Sequence, residues 1–164
     1  MEKMTKENGF SLLELMIVLA IIAILSAIAV PNYFSWLPKY RLKTAATDLF
    51  SNMQLVKLQA VKTNQNVSIK FSTGPDRYRF AILSGTKTIS LSDTYRSGIV
   101  FGRPAAFPGD TVTYGSDILT FNTRGISNAG YAYLTNSNNT GYYRVGTLSS
   151  GVIRLESWNS GAWE

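Results

Sequence analysis

The hydrophobic pattern of this chain changes character three times. From Leu12 to Val30 the sequence LLELMIVLAIIAILSAIAV is apolar on every side, broken only by Glu14 and Ser26. A helix built from it has no polar face to offer water. With Phe10 and Ser11 the run makes about 31 Å of helix at 1.5 Å per residue, enough to cross a hydrocarbon core. The segment therefore reads as a membrane-spanning helix. An ordinary cleaved secretory signal would carry an apolar region of about 7–15 residues and then a small-residue cleavage site. Here the run is longer, and Pro31-Asn32-Tyr33 follows it.

Beyond Pro31 and Pro38 the apolar positions recur every three or four residues: Leu42, Ala45, Ala46, Leu49, Met53, Val56 and Ala60. That is one face of a helix, expected from about Lys39 to Thr63, laid against a folded head and ended by Asn64-Gln65-Asn66. Tyr33, Phe34, Trp36 and Tyr40 suit a membrane boundary, where amphipathic rings collect, or equally a helix–helix contact. From Val67 the period falls to two. Val67, Ile69 and Phe71 alternate with Ser68 and Lys70, and Tyr78, Phe80 and Ile82 with Arg79 and Ala81, across a turn at Gly74-Pro75. Further strands are expected near Thr88–Leu91, Ile99–Phe101, Thr111–Tyr114, Ile118–Phe121, Tyr131–Leu134, Tyr142–Leu148 and Val152–Glu156, with residues 136–141 as a hairpin loop. The Trp158–Trp163 tail reads as a cap on the head or as a partner-binding edge. The fold class is α+β: a long N-terminal helix, half transmembrane and half amphipathic, packed on a C-terminal antiparallel β-sheet head.

Composition narrows the chemistry. The 164 residues include no cysteine and no histidine. Disulfides, thiolate nucleophiles, cysteine zinc sites and imidazole bases or ligands are all excluded. Asp76, Asp93, Asp110 and Asp117 stand singly beside turns, where aspartate serves its own backbone. No calcium loop and no glycine-rich phosphate loop is present; Gly102-Arg103-Pro104 has the wrong neighbours. The expectation is a protein that is not an enzyme, with no catalytic residues, cofactor or metal. Its net charge is +6, so phosphate contacts are favoured in principle. The arginines of the head, Arg77, Arg79, Arg96, Arg103, Arg124, Arg144 and Arg154, are scattered, singly or as a near pair.

Glu14 is the anomaly of the apolar run. A carboxylate in a membrane helix costs several kcal/mol and by default marks function. Position alone leaves two readings: it snorkels at one interface with no further task, or it meets a cation in the same apolar setting.

The run Gly9-Phe10-Ser11-Leu12-Leu13-Glu14 resembles the cleavage and methylation signature of type IV prepilins and type II secretion pseudopilins: a short polar leader ending in Gly, then Phe, an apolar stretch, and Glu five residues after the Gly. The resemblance implies that a prepilin peptidase cuts between Gly9 and Phe10 on the cytoplasmic side and methylates the new Phe10 amine. It also implies that Glu14 pairs with the Phe10 amine of a neighbouring subunit, and that Pro31 is a helix-kinking proline. Residues 1–9 would be the leader, 10–31 the transmembrane and assembly helix, 32–65 the amphipathic helix and 66–164 a periplasmic β-rich head. Lys39, Arg41 and Lys43 after the span would, by Lys/Arg counting, favour a cytoplasmic C-terminal side. The leader must meet its peptidase in the cytoplasm, so the resemblance sets the opposite orientation: a single-pass inner-membrane protein.

The head is similar, on Ile118-Leu119-Thr120-Phe121-Asn122-Thr123-Arg124-Gly125 and the closing Gly151-Val152-Ile153-Arg154-Leu155, to the GspH/FimT-like minor pseudopilins and minor pilins. That group implies a structural filament subunit, at a pilus or pseudopilus tip, whose partners are other pilins and inner-membrane lipid. Some members bind DNA during uptake through a Gly-Arg-x-Arg element. Here Val152 replaces its first arginine, which leaves Arg124, Arg144 and Arg154 as candidate DNA contacts.

Overall fold

The computed structural model describes residues 10–83, 85–96 and 98–164. Helix α1 spans Leu12–Thr63. The long helix expected from the sequence, apolar all round in its first half and amphipathic in its second, is one element that continues through both Pro31 and Pro38. A proline inside a helix removes one backbone bond and crowds the carbonyl four residues back. At two single positions in 52 residues that penalty does not end the element. The chain divides into two compact units, one ending at Leu37 and one running from Pro38 to Glu164.

In the second unit the helical stripe is buried as its spacing requires. Leu42, Ala45, Ala46, Leu49, Met53, Val56 and Ala60 are all fully excluded from solvent. Three alanines among the seven let the helix backbone lie close to the strands. The helix stops at Asn64, in the left-handed region at φ 52°. The Gln65 N–H then donates to the Ala60 carbonyl at 3.2 Å, the bond that closes a Schellman end.

The strands form two antiparallel sheets. β1 (Val67–Thr73), β2 (Asp76–Ile82), β3 (Gly85–Ser90) and β5 (Ile118–Phe121) make the first, in the order β3-β2-β1-β5. The second is β4-β6-β7-β8-β9, from β4 (Ile99–Phe101), β6 (Gly130–Asn136), β7 (Tyr142–Thr147), β8 (Ile153–Asn159) and β9 (Ala162–Trp163). Ile69 pairs with Phe80 and Phe71 with Tyr78, so these four buried side chains share one face. Phe71 stacks on Tyr114 at 5.6 Å and meets the edge of Phe101 at 5.9 Å, which joins the two sheets in one core with α1. A polar tie reinforces the join: the Phe101 N–H donates to the Asp76 carboxylate at 2.9 Å.

Three elements differ from the sequence expectation. Thr111–Tyr114 is not a strand but a single bridge, Val112 to Ala132. β4 occupies one half of the edge of β6, pairing with Leu134 to Asn136. The 111–113 segment completes the other half, through bonds between Thr113 N–H and the Tyr131 carbonyl and between Tyr133 N–H and the Thr111 carbonyl. Leu91 starts a short helix, α2 (Leu91–Tyr95), instead of ending a strand, and a left-handed Arg96 at φ 50° ends it. Five residues are too few to display a helical period. The tail folds back as β9 on β8, with Trp163 opposite Trp158.

Two tyrosines join α1 to this scaffold through polar bonds. Asn52 donates to the Tyr78 hydroxyl at 2.9 Å, and the Tyr95 hydroxyl donates to Asp48 at 2.8 Å. Burial pushes Tyr78 up to about 12. Burial, with Tyr78 and Asp48 adding to it, pushes Tyr95 up as well. A phenol held more tightly protonated in the folded state contributes stability that is complete below its ordinary value near 10 and is lost as pH rises through the raised one. Thermal unfolding followed by circular dichroism should therefore show a steep fall in stability between about pH 10 and 12. The slope should be shallower in Tyr78→Phe; an identical slope would show that this phenol does not couple to folding.

Candidate assembly site and basic surfaces

The N-terminal site begins with how α1 starts. Ser11 precedes the helix, and its hydroxyl accepts the Glu14 N–H at 3.2 Å. The Ser11 carbonyl accepts the first helical bonds, from Glu14 N–H at 3.1 Å and Leu15 N–H at 3.2 Å. Ser11 is thus the N-cap and Glu14 the third helical residue, the S-x-x-E spacing of a capping box. A carboxylate in this first turn is also favoured by the positive end of the helix dipole. The capping signal was present in the sequence, masked there by the more conspicuous anomaly of charge in an apolar run. Glu14 is exposed and makes no ion pair among the described residues. Phe10 lies just before the helix with 83% of its surface exposed. Gly9 falls outside the described residues. Every residue from Phe10 to Trp36 is exposed among the described residues.

The three candidate DNA arginines do not converge. Arg144 on β7 pairs in register with Glu156 on β8, and its Nε donates to the Glu156 carboxylate. Arg154, two residues away on the same face, lies 3.8 Å from the other oxygen of Glu156. One carboxylate therefore answers two of the three cations. Arg144 is further occupied by ring faces, 4.4 Å above Tyr131 and 4.7 Å above Trp163. Arg124 sits apart in the turn after β5, where the Asn122 side chain accepts the N–H groups of Arg124 and Ile126.

A basic cluster that the sequence reading did not single out lies on the outer face of the first sheet. Lys70 pairs with Arg79 across β1 and β2, and Ser72 pairs with Arg77. With Thr88 these residues line an open pocket of about 290 Å³. All three cations are exposed, and none makes an ion pair among the described residues. The signal was the alternation itself: once Ile69, Phe71, Tyr78 and Phe80 face inward, Lys70, Arg77 and Arg79 must share the opposite face. The isolated aspartates serve other ends. Asp76 holds Phe101, while Asp110 and Asp117 line a polar hollow of about 510 Å³ beside Thr73 and Tyr114.

The two head segments singled out in the sequence meet in space. Gly151, at φ +80°, lies so close to the turn after β5 that a Cβ there would sit 1.9 Å from the Gly125 carbonyl oxygen. From α1, Lys57 reaches the same place and donates to the Gly151 carbonyl at 2.9 Å. Helix, turn and closing strand are thus locked at one point.

These features agree with what known proteins resemble this chain. The prokaryotic N-terminal methylation motif matches residues 4–30, and the family described as type II transport protein GspH matches residues 45–151. The second match takes in more than half of the chain, so the protein belongs to the family described as type II transport protein GspH. Prepilin peptidase-dependent protein D of Escherichia coli is 56% identical over 46 residues, which cover 28% of this chain and 29% of that protein. Two solved structures share the fold. The type IV minor pilin FimU of Pseudomonas aeruginosa has a TM-score of 0.55 at 16% identity, over 77% of this chain and 94% of that one. The minor pseudopilin EpsH from the type 2 secretion system of Vibrio cholerae has a TM-score of 0.53 at 14% identity, over 71% and 97%.

The lock at Gly151 generates a prediction. Gly151→Ala combines a left-handed backbone with overlap on a neighbouring carbonyl, and strain of that kind costs about 1–3 kcal/mol. Its midpoint of thermal unfolding should fall clearly below that of Gly161→Ala, where φ is also positive but nothing lies within 4 Å. Equal midpoints would mean that the close approach contributes nothing.

Proposed function

We propose that this protein is a non-enzymatic minor pilin or pseudopilin, assembled through its N-terminal helix into a type IV pilus or type II secretion pseudopilus, at or near its tip. A prepilin peptidase removes residues 1–9 and methylates the Phe10 amine. The helix holds the protein in the inner membrane, with the head in the periplasm, until neighbouring pilins replace lipid around it. The observation that carries this reading is the exposed apolar stretch of α1, whose first turn holds an acid that makes no ion pair among the described residues, beside the exposed Phe10. A carboxylate there is costly in lipid. A neighbour's Phe10 amine about 4 Å away returns roughly 4 kcal/mol at an effective dielectric near 20. Assembly thereby removes the cost that the isolated subunit bears.

Glu14→Ala and Glu14→Val should stay cleaved and membrane-bound but enter sheared filaments far less than the parent protein. Incorporation at the parent level would sink the pairing account. Retention of Met1 on the mature protein would sink the processing step as well.

The cationic face of the first sheet supports a second reading, a minor pilin that contacts DNA during uptake. Among the described residues Lys70, Arg77 and Arg79 make no ion pair, whereas Arg144 and Arg154 share Glu156. Phosphate contacts of this kind weaken steeply with salt. Retardation of duplex DNA by the full chain in detergent should fall as salt rises and should largely vanish in a Lys70→Gln, Arg77→Gln, Arg79→Gln triple variant. Arg154→Gln should matter less. Absence of retardation at low salt would remove this reading.

A further inference from the structure

The tail that the sequence left as cap or edge is part of a larger surface. Trp158 and Trp163 face each other across β8 and β9, with ring centroids 5.0 Å apart. Phe107 lies 6.1 Å from Trp158 and 6.4 Å from Trp163, and Tyr133 lies 5.4 Å from Trp163. Two guanidinium groups are threaded between the rings. Arg103 is 3.8 Å above Tyr133 and 5.0 Å above Phe107, and Arg144 bridges Tyr131 and Trp163. Folding leaves this plate incomplete. Phe107 keeps 39% of its surface in solvent, and both tryptophans are only partly covered. Arg103 Nε and Trp163 Nε1 are buried donors with no hydrogen-bond partner among the described residues. Such groups are rare enough in native proteins to call for a reason.

The position of the plate bears on what covers its exposed rings. Trp158 shares an open pocket of about 260 Å³ with Lys39, Leu42, Tyr142 and Tyr143. Lys39 follows Val30, the last residue of the apolar run, by nine residues, or about 14 Å of helix. Lys39 is also the second residue of the unit Pro38–Glu164, so the plate lies beside the point where the chain enters that unit. Its chemistry suits a headgroup layer: tryptophan and tyrosine rings collect at that depth, and nearby Lys and Arg are drawn to anionic lipid. Of the carboxylates near it, Glu156 is already taken by Arg144, and Glu164 accepts from Asn159 at 3.3 Å. Lys39 and Arg103 make no ion pair among the described residues.

We propose that this plate docks on the headgroups of the bilayer that holds α1. Trp158, Trp163 and Phe107 enter the interface, and Lys39 and Arg103 meet anionic phosphate oxygens. The head then rests on the membrane while the subunit waits for assembly, and its release is part of entering the filament. This rests on the reading of Leu12–Val30 as a membrane span.

The test uses the full chain with Trp36→Phe, which leaves Trp158 and Trp163 as the remaining tryptophans of three. It is reconstituted in nanodiscs of phosphatidylcholine, with and without phosphatidylglycerol, that carry a quencher at headgroup or mid-chain depth. Expected are a blue-shifted emission, strong loss with the shallow quencher, little with the deep one, and greater loss when phosphatidylglycerol is present. Arg103→Gln with Lys39→Gln should abolish that last increment. Emission indifferent to the shallow quencher, in protein that co-elutes with discs, overturns the plate while leaving the span intact. Emission that changes only when other pilins are added also overturns it, in favour of a protein contact. Failure to co-elute with discs overturns the span and the proposal together.

Discussion

One helix has to satisfy two different surroundings, and the molecule is organised around that constraint. Over Leu12–Val30 α1 is apolar on all sides and has no cover of its own. Over Leu42–Ala60 it is apolar on one side, and that side is completely buried. The first stretch requires an apolar environment from outside the chain; the second finds one in the head. Nothing in the β-strands compensates for the exposed stretch, so a soluble isolated monomer would present a greasy rod to water. Lipid and neighbouring helices are the two environments that remove this problem, and the proposed function is the passage from one to the other.

The seven buried helix positions were legible because spacing alone identifies them: no other face of residues 39–63 carries so continuous an apolar stripe. The strands of the first sheet were legible for the same reason, since Ile69, Phe71, Tyr78 and Phe80 alternate cleanly. Legibility failed where structure depends on who occupies a neighbouring edge. Thr111–Tyr114 has the composition of a strand, yet β6 offers it only the part of its edge that β4 leaves open. The five residues of α2 carry no period to read, and the continuity of α1 through two prolines is set by the whole helix, not by the local dipeptides. The lock between Gly125, Gly151 and Lys57 joins residues distant in sequence, and only its two glycine-bearing segments attracted notice as motifs.

Charge shows the same limit. Counting arginines along the chain marks Arg124, Arg144 and Arg154, because they stand near a recognisable element. Folding changes their standing. The Arg144–Glu156 register places a carboxylate between two of them, so their summed field is weaker than the count suggests. Lys70, Arg77 and Arg79 become neighbours through strand pairing, with no acid among them. Surface potential follows the pairing register, which composition does not encode.

Glu14 joins the local and the intermolecular physics. As the third residue of α1 it stands at the S-x-x-E spacing after Ser11, whose hydroxyl accepts its N–H, and lies in the favourable field of the helix start. Those effects are worth on the order of 1 kcal/mol, too little to offset a carboxylate in hydrocarbon. Capping alone therefore explains why an acid is tolerated at a helix terminus, but not why one stands at the edge of a membrane span. In the proposed assembly, a cation from another subunit would supply the missing part. On the proposed processing the same position would serve both purposes: a carboxylate in the first turn would lie within a few residues of the new amino end, so that neighbouring copies offset by a short axial step would bring amine and acid together.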